Sequence, residues 1–168
     1  MPDVLADIAE DESLFRIKTF SAERDENGRR KATIFSKFGV SVLVADAAIF
    51  EKSSNEGALN NFTLAHEFSH LALGHHDDGS VSKHFEFRKV GTNNARVAET
   101  DQEFETDFAA VVFLCGPRLL QRDFPSSSLA RWAKCDQQMI EKARKICFQD
   151  SFIEALSKLD SSIGREVF

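Results

Sequence analysis

One segment near the middle of the chain, NFTLAHEFSHLALGHH at residues 61–76, constrains the fold most, because it combines an apolar helical pattern with four of the five histidines. At 100° per residue on a helix, and with His66 set at zero, His70 falls at about 40° and Glu67 at about 100°. The apolar side chains that fall on the far side, between about 140° and 240°, are Leu64, Phe68, Leu71 and Ala72. The pattern predicts an amphipathic helix over about residues 62–73 that packs this stripe on the core and presents both imidazoles on the opposite face.

The two histidines and the glutamate form an HExxH arrangement, here HEFSH. Zinc is held by two neutral imidazoles one helical turn apart, a third protein ligand and a water, and a neighbouring carboxylate can take the proton of that water. The motif therefore predicts His66 and His70 as zinc ligands and Glu67 as the general base. Glu67 lies off the apolar stripe, so folding is not expected to depend on it. The alternative is an ordinary amphipathic helix whose histidines bind nothing.

The third ligand is expected further along the chain, in ETDQEFETDFAAVVFLCGP. Glu103 and Asp107 are four residues apart and share one face of a predicted helix over about residues 100–114. Glu103 would bind the metal, and Asp107 would accept a hydrogen bond from the free N–H of a ligand histidine.

Two alternatives to Glu103 as a ligand remain open. Thr100 and Glu103 fit a capping box, in which Glu103 would only fold back onto the start of the helix. His76 lies ten residues after His66, the spacing of the third ligand in HExxHxxGxxH. That arrangement needs glycine where this chain has Leu73, and His75 has no better spacing.

The order of patterns predicts an α+β fold in a single domain over residues 1–168, with a small sheet first and helices after it. The element predictions are a weak helix and strand within 4–20, strands at 31–38 and 39–46, a loop at 51–60, the helix at 62–73, a short strand within 83–90, the helix at 100–114, and two or three helices within 126–160. Asn60 or Asn61 is expected to cap the start of the histidine helix and Gly74 its end. The strand at 39–46 suits either a central strand or an edge that pairs with an extended substrate.

Charge, hydropathy and cysteine content count against several classes of protein. The net charge of −6 disfavours direct nucleic-acid binding. No stretch approaches the roughly 18 apolar residues of a membrane span, and the N-terminus does not read as a signal peptide. The three cysteines form no CxxC pair, which favours reduced thiols in a cytoplasmic protein.

Two segments together resemble the ImmA/IrrE metallopeptidases. FTLAHEFSHLALGH is similar to the family's usual FTLAHELGHLLLGH, and EFETDFAAVVFLCGPR is similar to its looser ExEADxFAAxLLxP. Thr106 stands where the family usually has alanine. The second motif leaves both Glu103 and Glu105 as candidate ligands, and Glu103 keeps the ExxxD relation to Asp107.

The resemblance implies a zincin-like domain, with a small N-terminal sheet, an active-site HExxH helix, a second helix carrying the glutamate ligand and a C-terminal helical segment. It implies a cytoplasmic zinc endopeptidase that cleaves a helix-turn-helix repressor of a mobile element, phage or stress regulon. The ligands would be His66, His70 and Glu103, and Glu67 would be the base. The alternative is a zinc-stabilised regulatory partner that binds such a protein without cleaving it, as in a toxin–antitoxin pair.

One part of the expected mechanism has no assigned residue. A second donor to the oxyanion usually assists the metal. The chain has no tyrosine, and His84, Arg88 and Arg96 are candidates without further support.

Overall fold

Four strands and a series of helices make up the fold, in a computed structural model that describes residues 2–9, 15–21, 31–37, 39–55, 57–75, 85–86 and 101–166. The elements, in chain order, are α1 (Pro2–Ile8), β1 (Phe15–Phe20), β2 (Lys31–Lys37), β3 (Val40–Asp46), α2 (Ala47–Asn55), α3 (Ala58–Ala72), β4 (Phe85–Glu86), α4 (Asp101–Cys115), α5 (Pro117–Leu120), α6 (Ser126–Ala133), α7 (Gln137–Cys147) and α8 (Asp150–Glu166). The α+β class is confirmed, as are the two strands after residue 30 and the three helices within 126–160. In the described part of the chain, no helix combines the length and apolar character that a bilayer span requires.

The sheet has the order β1-β3-β2-β4, so β3 is a central strand and not an edge. It runs parallel to β1 and antiparallel to β2. Its side chains alternate as a half-buried strand requires, with Ser41, Leu43 and Ala45 buried on one face. β4 pairs with the start of β2.

The loop predicted for residues 51–60 was wrong, because α2 extends to Asn55 and α3 begins at Ala58. Asp46 ends β3 and its Oδ1 accepts a hydrogen bond from the N–H of Ala48 at 3.0 Å, which caps the first turn of a helix. Ile49 in that turn is 1% exposed. The cap and this buried contact outweigh the polar composition of the segment that follows.

Helix α3 begins earlier than predicted, and neither Asn60 nor Asn61 caps it. Gly57 takes the N-cap position. Asn61 is buried within the helix, and its Nδ2 donates to the carbonyl oxygens of Ala133 at 3.0 Å and Lys134 at 3.2 Å. These carbonyls lie where α6 ends in a left-handed residue, Lys134 at φ 48°. Asn61 therefore fastens α3 to the end of α6.

The other end of α3 confirms the prediction that Gly74 terminates the helix. Gly74 has φ 70°, and its N–H donates to Leu71 O at 3.0 Å. The N–H of His75 donates to His70 O at 3.1 Å. This pair of bonds is a Schellman motif, which needs a left-handed residue best supplied by glycine. It turns the chain so that His75 lies back over the last turn of α3.

Two hydrophobic clusters flank α3. The first joins it to the sheet, α1 and α2 and includes Leu64, with Phe68 packed against it. The second joins it to α4 and the C-terminal helices and includes Phe62 and Ala65. The predicted apolar stripe accounts for the first cluster only, and Ala72, assigned to that stripe, is exposed. The histidine side of the helix is also buried, because α4 covers it.

The three cysteines all lie in the second cluster, and all are free. Burial raises the thiol pKa of Cys115 to about 11, of Cys135 to about 12 and of Cys147 to about 11. Raised pKa values keep the thiols protonated and poorly nucleophilic near neutral pH, which is typical of structural cysteines.

Replacing Asn61 with alanine is expected to destabilise the protein by about 1–3 kcal/mol, because two carbonyls at the end of α6 lose a donor. Denaturant unfolding of the variant measures this loss. Asn60→Ala is the matched control, since it removes the preceding asparagine of the same helix. Equal stability of the two variants would show that the contact between α3 and α6 contributes nothing.

Candidate metal centre

Helices α3 and α4 pack side by side and bring three potential ligands together. His66 Nε2 lies 3.2 Å from His70 Nε2 and 3.3 Å from Glu103 Oε2. The other oxygen of Glu103, Oε1, lies 3.7 Å from His70 Nε2. One ligand atom from each of the three residues lies within 4.8 Å of the other two. The structure thus groups the three residues predicted as ligands, while their role in binding metal stays a prediction.

The geometry of this group fits a tetrahedral metal ion. Bonds of about 2.0–2.1 Å at tetrahedral angles place neighbouring ligand atoms roughly 3.3 Å apart. The separations from His66 Nε2 to the other two ligands, 3.2 and 3.3 Å, have this size. Two imidazole nitrogens and one carboxylate oxygen are also a donor set that zinc accepts.

Asp107 contacts His66 at Nδ1, the ring nitrogen that does not face His70 and Glu103. Its Oδ1 lies 2.8 Å from His66 Nδ1, so the ring donates through Nδ1 and turns Nε2 towards His70 and Glu103. Burial alone lowers the pKa of His66, but the hydrogen bonds to Asp107 and Glu103 outweigh it and raise the pKa to about 9. A metal ion at Nε2 would replace the proton that the two carboxylates otherwise favour there.

Glu67 is buried, at 2% exposure, and it is bound to the sheet. Its Oε2 accepts a hydrogen bond from the N–H of Ile34 in β2 at 3.1 Å. This contact makes a contribution of Glu67 to folding the new expectation, in place of the one drawn from the sequence, since the helical wheel shows which side of α3 the glutamate occupies but not that β2 lies against it.

The second oxygen of Glu67, Oε1, is buried without a hydrogen-bond partner among the described residues. Buried polar atoms are rarely left unpaired, so Oε1 is suited to an exchangeable partner such as a water or a proton. Burial raises the pKa of Glu67 to about 8, because the charged form loses its hydration.

The opposite side of His70 has two contacts that the sequence did not predict. Its Nδ1 lies 3.2 Å from Thr106 Oγ1 and 3.0 Å from His75 Nδ1. Thr106 precedes Asp107 on α4 and follows Glu103 by three residues, so its spacing places it on the face that carries both acids. This spacing, and a threonine where the resembled motif has alanine, are the signals in the sequence that could have identified it.

The remaining candidates for the third ligand are placed less favourably or lie outside the described residues. Glu105 is 63% exposed, and its Oε2 lies 3.7 Å from His75 Nε2 and not in the ligand group. His75 approaches His70 through Nδ1, on the side away from Glu103. The predictions for Thr100, His76, His84, Arg88 and Arg96 fall on residues outside the described part of the chain.

Comparison with known proteins found no match among protein families, curated proteins or solved structures. The chemistry of the site therefore has to be inferred from its own side chains.

Replacing Glu67 is expected to show how much its hydrogen bond with β2 stabilises the fold. Glu67→Gln keeps an acceptor for the Ile34 N–H, whereas Glu67→Ala leaves that buried N–H unpaired. We expect the alanine variant to be less stable than the glutamine variant by roughly 1–3 kcal/mol. Both variants lack the charge, so urea unfolding of the two proteins in the presence of a chelator isolates the contact with β2. Equal unfolding midpoints would contradict this role.

Proposed function

We propose that the chain is a zinc-dependent endopeptidase of the ImmA/IrrE type, with a zincin-like domain. The observation that supports it best is the convergence of His66 Nε2, His70 Nε2 and Glu103 Oε2 on one point between two helices. A buried glutamate, whose Oε1 has no hydrogen-bond partner within the described ranges, follows the first of these ligands directly in the sequence.

The number of ligands favours a catalytic centre over a structural one. Structural zinc sites usually have four protein ligands, whereas catalytic sites have three and leave a position for water. Within the described residues, the ligand group consists of three side chains. A purely structural site would also have no use for a carboxylate adjacent to it in the sequence.

In this proposal Glu67 and Asp107 each have one role in the reaction. Bound zinc would lower the pKa of a water and polarise the peptide carbonyl. Glu67 Oε1 accepts the proton of that water and later passes it to the leaving amine, while the Ile34 N–H holds Oε2 in place. Asp107 fixes the ring of His66 so that Nε2 carries the lone pair that binds the metal.

The proposed substrate is a helix-turn-helix repressor in the cytoplasm, and this part rests on the resemblance of the two motifs. The net charge of −6 is consistent with a protein partner and disfavours direct contact with a phosphate backbone. A non-proteolytic, zinc-stabilised regulatory partner is the competing function.

The purified protein is expected to contain about one zinc ion, and Glu103→Ala to lose most of it, because two imidazoles alone bind zinc poorly. Metal analysis by mass spectrometry measures the content. Glu105→Ala is the matched control, since it removes the exposed glutamate two residues away. Full zinc retention in Glu103→Ala together with loss in His76→Ala would assign the third position to His76.

Glu67→Gln is expected to stay folded and zinc-loaded but to cleave about 10²–10⁴-fold more slowly than wild type, because an amide cannot accept the proton of the water at neutral pH. The measurement is a cleavage time course with a purified helix-turn-helix repressor as the candidate substrate, with zinc content checked in every sample. Glu105→Gln is expected to cleave at the wild-type rate.

The same time course separates the two functions. Equal cleavage by Glu67→Gln and wild type would overturn the proposed mechanism. A wild-type protein that binds the partner and changes its DNA binding without cutting it would establish the regulatory alternative.

A further inference from the structure

Thr106 is fully buried on α4, at 0% exposure, yet it carries a hydroxyl. Its Oγ1 lies 2.6 Å from the carbonyl oxygen of Gln102, one turn earlier in the same helix. The same atom lies 3.2 Å from His70 Nδ1 and 3.3 Å from His75 Nδ1. A buried hydroxyl in contact with a ligand of the candidate metal centre calls for a physical explanation.

Counting protons limits the directions that these contacts can take. A threonine hydroxyl has one hydrogen, and the carbonyl of Gln102 can only accept, so that hydrogen is donated to Gln102. Thr106 Oγ1 can therefore only accept from His70. A hydrogen on His70 Nδ1 makes this bond and leaves the lone pair on Nε2, the atom that faces His66 and Glu103. A hydrogen on His75 Nδ1 would serve the same three atoms, and binding of a metal through Nε2 of His70 selects the first arrangement.

His75 completes the same arrangement. With the hydrogen on His70 Nδ1, the facing Nδ1 of His75 at 3.0 Å must be an acceptor. The hydrogen of His75 then lies on Nε2, which points to Glu105 Oε2 at 3.7 Å. The Schellman turn at Gly74 holds His75 in this place. Both neighbours of His70 Nδ1 can thus accept its hydrogen in the tautomer that a metal ligand needs, and in that arrangement the 3.3 Å contact between Thr106 Oγ1 and His75 Nδ1 carries no hydrogen.

We propose that Thr106 is a positioning residue of the metal centre, which holds His70 in the Nε2-binding tautomer and orientation as Asp107 does for His66. The proposal rests on the metal-binding part of the proposed function and is independent of proteolysis. A hydroxyl is a weaker acceptor than a carboxylate, so its contribution should be smaller than that of Asp107.

The test is metal affinity, measured by competition of Zn²⁺ with a chromophoric chelator. Loss of a hydrogen-bond partner behind a metal ligand typically lowers affinity about 10- to 100-fold, and we expect Thr106→Val, which keeps the shape but not the hydroxyl, to fall near the lower limit. Thr106→Ser keeps the acceptor and should restore the wild-type affinity. The visible absorption of the Co²⁺ form should change in Thr106→Val and return in Thr106→Ser, because it reports ligand geometry.

Ser69→Ala is the matched control. Ser69 is also buried, and its Oγ also donates to the carbonyl four residues earlier, that of Ala65, at 2.8 Å. The Ser69→Ala substitution removes the same kind of buried bond without removing an acceptor from a ligand histidine, so this variant should keep the wild-type metal affinity. Should Thr106→Val fail to fold in circular dichroism, Thr106→Ala replaces it, because alanine adds no bulk to the site.

The outcomes distinguish this inference from the function on which it rests. A folded wild-type protein that binds neither Zn²⁺ nor Co²⁺ would refute the metal centre itself. Wild-type binding together with unchanged affinity and spectrum in the folded valine or alanine variant would overturn the role of Thr106 alone. An equal loss of affinity in Thr106→Val and Ser69→Ala would also overturn it, since the effect would then belong to packing.

Discussion

The contact between α3 and α4 is the constraint on which the rest of the structure depends. The histidine side of α3 is buried, with His66 1% exposed, so its polar atoms need partners that water cannot supply. Helix α4 supplies them through Asp107, Glu103 and Thr106. A hydrophobic cluster lies on each side of α3, and the second of them packs α3 against α4 beside these polar contacts.

Charge balance in this buried region favours a cation. Three carboxylates, those of Glu67, Glu103 and Asp107, lie around His66. Burial lowers the pKa of His66, but the hydrogen bonds to Asp107 and Glu103 raise it to about 9, and burial raises the pKa of Glu67 to about 8. Protons and a divalent metal ion satisfy the same need, because each offsets negative charge where water is excluded. A bound dication would favour the ionised form of Glu67, which is the form that acts as a base.

The sequence predicted those parts of the site that depend on spacing within one helix. HExxH and ExxxD placed His66 with His70 and Glu103 with Asp107, and the structure brings these pairs together. It could not predict the contacts between distant segments, such as Glu67 with Ile34 or Asn61 with the end of α6. The extent of α2 was missed for a related reason, since its first turn depends on a cap from the preceding strand and on the burial of Ile49.

The proposed ligands and the proposed base are anchored to different parts of the fold. Asp107 and Thr106 of α4 contact the Nδ1 atoms of the proposed ligand histidines. Glu67, in contrast, accepts a hydrogen bond from the backbone of β2. A change in α4 should therefore act first on metal affinity, and a change in the position of β2 should act first on the base. Since the contact with β2 is a backbone N–H, no replacement of a side chain in the strand other than by proline removes it. The orientation of the proposed base thus depends on the backbone of the sheet, while the affinity of the proposed metal site depends on individual side chains of α4.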